Sequence, residues 1–293
     1  MSSNTSDDDQ TRIITPVSVC MALALIATAM RFASRRVKHI SLLTSDYLSI
    51  IGLLCACVVS SVTILQTYFG LGLHVDRVSM PNIRKILLTT FLGEISYSIG
   101  FTFIKLSILA LYRHIFPTRF IKVSSVVLGT FILMWGISGV LVIIFSCQPI
   151  IFSCQPIHGF WDSTTRTKCV DSKWFFIGNS IPNIIADVIL LLLPMRDIWK
   201  LQLHLRSKIA VSLIFLLGSF VIIASGLRLK SMLSMNEADM TWSYVGIALW
   251  SAVEIDLGVV SCCLPVLRPM LAWLIPEAIK NKRAQEFYPL QNN

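Results

Sequence analysis

Charge is what this chain has least of. Asp, Glu, Lys and Arg make up 14% of its 293 residues, too few to cover the surface of a soluble domain of that length. Its five histidines, at positions 39, 74, 114, 158 and 204, share no metal-ligand spacing, so no metal is expected. No glycine-rich loop able to cradle a phosphate occurs, which removes the common nucleotide-binding chemistries. No basic region precedes the first apolar run. Met1 to Arg12 instead carry Asp7, Asp8 and Asp9, so a cleaved signal peptide is not expected and the first span should act as its own anchor. Long acidic or basic tracts are missing as well. The 25 Lys and Arg residues stand in short clusters between uncharged runs, without interleaved aromatics, which excludes a nucleic-acid partner despite the net charge of +9.

What is present is apolar length. Hydrophobic residues make up 55% of the chain, and the mean hydropathy is +0.72. A hydrocarbon layer about 30 Å thick is crossed by roughly 20 apolar residues in helical form. Seven such runs occur, at Ile13–Phe32, Tyr47–Phe69, Ile86–Tyr112, Val123–Ser146, Trp174–Met195, Ile209–Leu227 and Ser243–Val266. None shows the two-residue alternation of a barrel strand, and in lipid only a helix then satisfies its own backbone. The expected fold is an all-α, seven-helix multi-pass membrane bundle with lipid as its principal partner. It divides into a polar tail over residues 1–12, a membrane domain over 13–275 and a second tail over 276–293.

Loop charges give the direction. Fifteen Lys and Arg fall in one set of alternate loops, from Arg31, Arg35 and Arg36 to Lys282 and Arg283, and nine in the other, which includes Arg12, Arg228 and Lys230. The richer set should face the cytosol, placing the N-terminus outside and the C-terminus inside. An Asn4-Thr5-Ser6 sequon agrees with an exposed start and makes Asn4 the expected glycosylation site. Lys280, Lys282 and Arg283 follow the last span closely, where each basic residue gains about 1 kcal/mol from an anionic leaflet.

The second outer loop holds a perfect tandem repeat, Ile144–Ile150 and Ile151–Ile157, each reading IFSCQPI. Seven residues are too few for a solenoid repeat, so the segment reads as one copy plus an insert. It places Cys147 and Cys154 beside Cys169 in what should be an oxidising compartment. A Cys154–Cys169 disulfide is expected, with Cys147 as the alternative partner, and three cysteines leave at least one thiol free. The other five, Cys20, Cys55, Cys57, Cys262 and Cys263, lie within spans as small buried hydrophobes.

Ionisable residues inside spans are expensive unless paired or hydrated, which makes them the candidate ligand-binding positions. Glu94 and Lys105 lie eleven residues apart, close to three helical turns, so they share a face of the third span. Asp187 sits at the depth of Lys105, and an ion pair between them is geometrically reasonable. Glu254 falls near the middle of the seventh span, with Trp250 one turn before it. Asp256 is about 200° further round the helix and should face elsewhere. Arg228, directly after the sixth run, completes the set of candidate buried polar residues.

Several spaced motifs together resemble the fungal rhodopsin-domain family. They include Arg31 through Asp46, Phe69-Gly-Leu-Gly-Leu-His74, Phe103-Ile-Lys-Leu-Ser107 with Tyr112-Arg-His-Ile-Phe-Pro117, and Cys154-Gln-Pro with Phe160-Trp161 and Cys169. Asp187 with Leu193-Pro194, Gly218 with Arg228, and Trp250 through Glu254 with Leu264-Pro265 and Arg268-Pro269 continue the series to about residue 275. Ser45 stands where a second acidic residue beside Asp46 would be expected. The resemblance implies a seven-span fungal membrane protein, either an accessory or sensory component of secondary-metabolite biosynthesis or a receptor.

The family's name does not carry photochemistry to this chain. Retinal needs a lysine in the last span, and Ser243–Val266 contains none, so no cofactor is expected. The third span ends Leu111-Tyr-Arg-His114 without an acidic residue before the arginine, and the seventh lacks an Asn-Pro pair, so the mainstream G-protein receptor switch is not legible. Three classes remain: a sensory or receptor-like protein, an accessory protein or membrane-embedded enzyme handling a small lipophilic metabolite, and a transporter. No inverted repeat supports the last. No catalytic constellation is legible either.

Overall fold

The computed structural model describes residues 4–37, 39, 41–116, 118–145, 172–195, 205–234 and 240–274. Among these, regular structure is entirely helical. Seven long helices follow one another: α1 (Asn4–Val37), α2 (Thr44–Tyr68), α3 (Met80–Ile115), α4 (Arg119–Phe145), α5 (Ser172–Leu192), α6 (Leu205–Leu233) and α7 (Val245–Leu274). A 3-10 turn, Val75–Arg77, lies between α2 and α3, and a single helical turn, Met240–Ser243, precedes α7.

Local chemistry sets the boundaries. α2 opens with the Leu43 N–H donating to Asp46 Oδ2 at 2.9 Å, the side-chain half of a capping box. It closes on Gly70, whose φ of 107° is open to glycine and costly for other residues. There the Leu71 N–H reaches Gln66 O at 3.0 Å and the Gly70 N–H reaches Thr67 O at 3.1 Å, the paired bonds of a Schellman ending. Leu71, fully buried, packs beside Ile86 and Ala248 and anchors that turn. α3 begins with Pro81 in its first turn, where no N–H is needed, and stops before Pro117, which disfavours helix in the residue ahead of it.

Among the described residues, six helical segments are long and apolar enough to cross a membrane: 12–37, 44–68, 80–115, 119–144, 215–233 and 241–266. The remaining run, in α5, has a described apolar stretch of Ile177–Leu192, shorter than the other six. Six of the seven expected spans are therefore met among the described residues, and α5 is a 21-residue helix whose described apolar stretch begins at Ile177. α1 also begins earlier than expected, at Asn4, inside the stretch read as a polar tail.

Each helix packs on its neighbours in the chain, and α7 closes the ring against α1. α7 and α3 also cross the interior, touching each other, with α2 against α7 and α5 against α3. The apolar window of α7 is 72% buried and that of α3 50%, against 28% for α1, α4 and α6, so these two carry the interior side chains. Gly100 permits their approach: a Cβ there would stand 2.7 Å from Cys55 Cβ on α2 and 2.8 Å from Ile255 Cδ1 on α7. Large apolar side chains such as Leu54, Val127, Met134 and Leu216 face outward, as lipid contact requires.

Two groups of basic residues leave the loops to which the charge count assigned them. Arg31 and Arg35 lie buried in α1, and α6 continues through Arg228, itself only 3% exposed, to Leu233. A hydropathy reading places arginines at or beyond the ends of spans, whereas burial beside carboxylates lets the helix continue through them. Two of the fifteen and one of the nine are thereby removed, and the bias keeps its direction. Cys147, Cys154 and Cys169, and hence the expected disulfide, lie outside the described residues, as does the side chain of Asn4.

Candidate functional site

Among the described residues, the buried charged side chains of the bundle interior form four groups, and every in-span ionisable residue expected from the sequence falls in one of them. In the first, Arg228 of α6 stands between two carboxylates, with Nη1 3.5 Å from Glu254 Oε2 on α7 and Nη2 3.7 Å from Glu94 Oε2 on α3. The Tyr97 hydroxyl donates to Glu254 Oε2 at 2.8 Å, and Ser225 donates to Glu254 Oε1. The Tyr244 hydroxyl donates to Glu94 Oε1 at 3.2 Å. The guanidinium lies 4.0 Å above the Tyr97 ring, a cation–π contact in a site without solvent screening. Two carboxylates thus face one guanidinium, and three hydroxyl donors offset the excess negative charge.

Lys105 forms the second group. Its Nζ is 3.1 Å from Asp187 Oδ1, the juxtaposition that their matching depths predict. It also donates to Asn183 Oδ1 at 2.7 Å and Asn183 O at 2.9 Å, so all three ammonium protons have acceptors. The Phe101 ring lies 4.7 Å from Nζ and stacks on Tyr97 at 5.1 Å, separating the first group from the second.

At the other end of α1, Arg31 ties three helices together. Its Nε donates to Asp46 Oδ1 at 2.9 Å, its Nη2 to Ser45 Oγ at 3.1 Å and its Nη1 to Cys262 O at 2.6 Å. Arg35 Nε stands 3.2 Å from Asp46 Oδ2. Ser45 therefore occupies its position as a neutral acceptor, and its own carbonyl accepts from Ser107 of α3 at 2.7 Å.

Asp256 faces away from Glu254, as its helical offset predicts. Its Oδ2 accepts from Ser60 of α2 at 2.9 Å, while Oδ1 has no partner among the described residues. Trp250 is half-buried against the apolar core and is not drawn into the charged network.

Two crevices meet at Lys105. One, of about 420 Å³ counting its open mouth, lies among α3, α4 and α5 and is lined by Phe101, Phe131 and Trp135 with Asn179 and Asn183. The indole N–H of Trp135 donates to Asn179 Oδ1 at 3.0 Å across it. Pro182 stands within α5 at this level, where it removes a backbone donor and favours a bend. The other crevice lies among α3, α5, α6 and α7 and includes Asp187. Apolar walls with a few convergent polar groups are the usual form of a small-molecule site.

The sequence profile of the fungal rhodopsin domain matches residues 30–273. The chain belongs to that family. The matched stretch of this fungal rhodopsin-domain protein includes all four buried groups. A protein of Metarhizium anisopliae described as a polyenoic acids biosynthesis gene cluster protein is 27% identical over 87% of this chain and 72% of its own length. A SAT4 family membrane protein of Emericella nidulans is 28% identical over 70% of the chain, which spans about half (51%) of that relative. A protein of Arthrobotrys oligospora named Receptor GIN3 is 21% identical over 91% of the chain and 64% of its own length. No solved structure matches the chain.

Tyr97, Ser225, Tyr244, Asn179 and Asn183 were not among the expected site residues, and helical spacing would have found most of them. Asn179, Asn183 and Asp187 recur every four residues along one stripe of α5. Tyr97 and Ser225 each lie three residues from a charged member, Glu94 and Arg228 respectively. A search limited to full charges overlooks such partners.

Proposed function

We propose that this fungal rhodopsin-domain protein is a sensory or accessory component of secondary-metabolite biosynthesis whose interior crevices receive a small lipophilic metabolite. The observation that carries the reading is the Lys105–Asp187 pair, set between two crevices at a depth where an idle charge pair costs stability. The Metarhizium anisopliae relative named for a biosynthesis gene cluster supports the pathway; Receptor GIN3 supports a receptor reading as the alternative. A membrane enzyme acting on a lipophilic intermediate would use the same crevices. Retinal has no place in this proposal, since α7 carries no lysine. Deleting the gene and profiling metabolites is the test. A changed metabolite series, or loss of the transcriptional response to that series, is expected. Unchanged profiles and responses would overturn it.

The same proposal takes α5 as a seventh crossing, its 21-residue helix being long enough to span the hydrocarbon layer. The N-terminus then lies outside with a glycan on Asn4, the outer loop carries the Cys154–Cys169 bridge, and the C-terminus is cytosolic. In sealed microsomes, an N-terminal tag should resist added protease while a C-terminal tag is digested. An endoglycosidase shift should be present in the natural chain and absent in Asn4→Gln. Both tags responding alike would leave an even number of crossings and remove α5 as a span.

A further inference from the structure

Asp187 gives only one carboxylate oxygen to Lys105. The other, Oδ2, is closed to solvent and has no hydrogen-bond partner among the described residues. A buried carboxylate oxygen left in that state costs more than almost any other unsatisfied acceptor, and the cost disappears when a donor arrives. Asp187 lines the crevice among α3, α5, α6 and α7, which measures about 480 Å³ counting its open mouth. Its walls are mostly apolar, with Ile104, Ile108, Leu190 and Val221 around the single carboxylate, and Tyr112 and Ser261 line it as well without bonding Oδ2.

Charge balance narrows the occupant. All three Lys105 protons are already accepted, by Asp187 and twice by Asn183, so the ammonium holds nothing in reserve for an anion. Asp187 is already neutralised by Lys105, so an entering ammonium would add an uncompensated charge to an apolar space. A neutral donor satisfies Oδ2 without disturbing either partner. We propose that this crevice binds the hydroxyl head of a neutral lipophile, the Asp187 carboxylate turning so that Oδ2, closed to solvent in this structure, faces the crevice and accepts, with the apolar remainder in the mouth between the helices. The inference rests on the reading that the bundle receives a lipophilic metabolite, and it names the chemical class and the accepting atom.

A water molecule would satisfy the same oxygen, and the experiment separates the two. The full chain, purified into lipid nanodiscs, is exposed to a long-chain alcohol carrying a photoreactive diazirine, and separately to its methyl ether. Crosslinked peptides are then mapped by mass spectrometry. The alcohol should label the crevice walls on α3, α5, α6 and α7 at least about tenfold more than the ether, a factor within what a hydrogen bond to a charged acceptor is worth. Ser261→Leu narrows the crevice with Lys105 and Asp187 intact, and should bring alcohol labelling down to the ether's level. Lys105→Met with Asp187→Leu removes the acceptor without stranding a charge and should do the same. Equal labelling by alcohol and ether in the natural chain, or full alcohol labelling in Ser261→Leu, would mean water alone at Asp187 and overturn the proposal. Failure here alongside a metabolite change on gene deletion would overturn the ligand class and leave the pathway reading. Specific labelling without any effect of deletion would do the reverse.

Discussion

Arg31→Met should abolish recovery of monodisperse protein in detergent, or lower its melting temperature by more than any single change in an exposed residue. Arg31 is fully buried, and its guanidinium holds α1 to the Asp46 carboxylate and Ser45 of α2 and to the Cys262 carbonyl of α7. Methionine fills much of the same volume yet leaves Asp46, itself 0% exposed, with only Arg35 at 3.2 Å and the Leu43 N–H. Stripping one partner from a buried ion pair costs about 3–5 kcal/mol. The Cys262 carbonyl loses its 2.6 Å donor as well. That loss falls where α7 is already short of donors, because Pro265 cannot supply the N–H that the Ser261 carbonyl would otherwise accept. Arg31→Lys keeps the charge and forfeits the fork, so it should fall between. Arg36→Met, at an exposed arginine five residues further along α1, is the control and should stay within about 0.5 kcal/mol of the natural chain. Size-exclusion elution and thermal melting read all three. Arg31→Met melting with the control would sink the assignment.

That prediction also shows where sequence reading was strong and where it failed. The apolar runs located every long helix, because a 20-residue stretch without charge has few alternatives in lipid. Positions of charges along α3 and α5 were enough to bring Lys105 to Asp187, since both depth and face follow from helix geometry. Arg31 and Arg35, counted as loop charges, and Arg228, counted as a loop charge as well as a buried candidate, leave the loops for a single physical reason. Hydropathy scores an arginine by its cost alone, while the carboxylate that repays it comes from another helix and is invisible along the chain. Asp46 lies 15 residues from Arg31, Glu254 lies 26 from Arg228, and Cys262 lies 231 from Arg31. Helix ends suffered similarly. The extension of α6 to Leu233 depends on the same pairing that buries Arg228.

Arg228→Met should be nearly as damaging as the loss of Arg31, and its rescue is the more informative experiment. Removing the guanidinium leaves Glu94 and Glu254 facing one another with hydroxyl donors only, from Tyr97, Tyr244 and Ser225. The expected cost is again about 3–5 kcal/mol. If the group is held by charge compensation, neutralising its other members should restore what was lost. Arg228→Met with Glu94→Gln and Glu254→Gln keeps shape and hydrogen-bonding capacity, and should melt within about 1 kcal/mol of the natural chain, since replacing a whole buried ionic group is often neutral. Tyr97→Phe should cost about 1 kcal/mol, because Glu254 retains Ser225 and Arg228 as partners. The coupling between Arg228 and Glu254, taken from the double-mutant cycle, should reach about 1–3 kcal/mol. A triple variant as unstable as Arg228→Met would show that Arg228 acts through packing on the Tyr97 ring at 4.0 Å rather than through its carboxylates. A restored triple variant that no longer supports the metabolite profile would place this group in function as well as in folding.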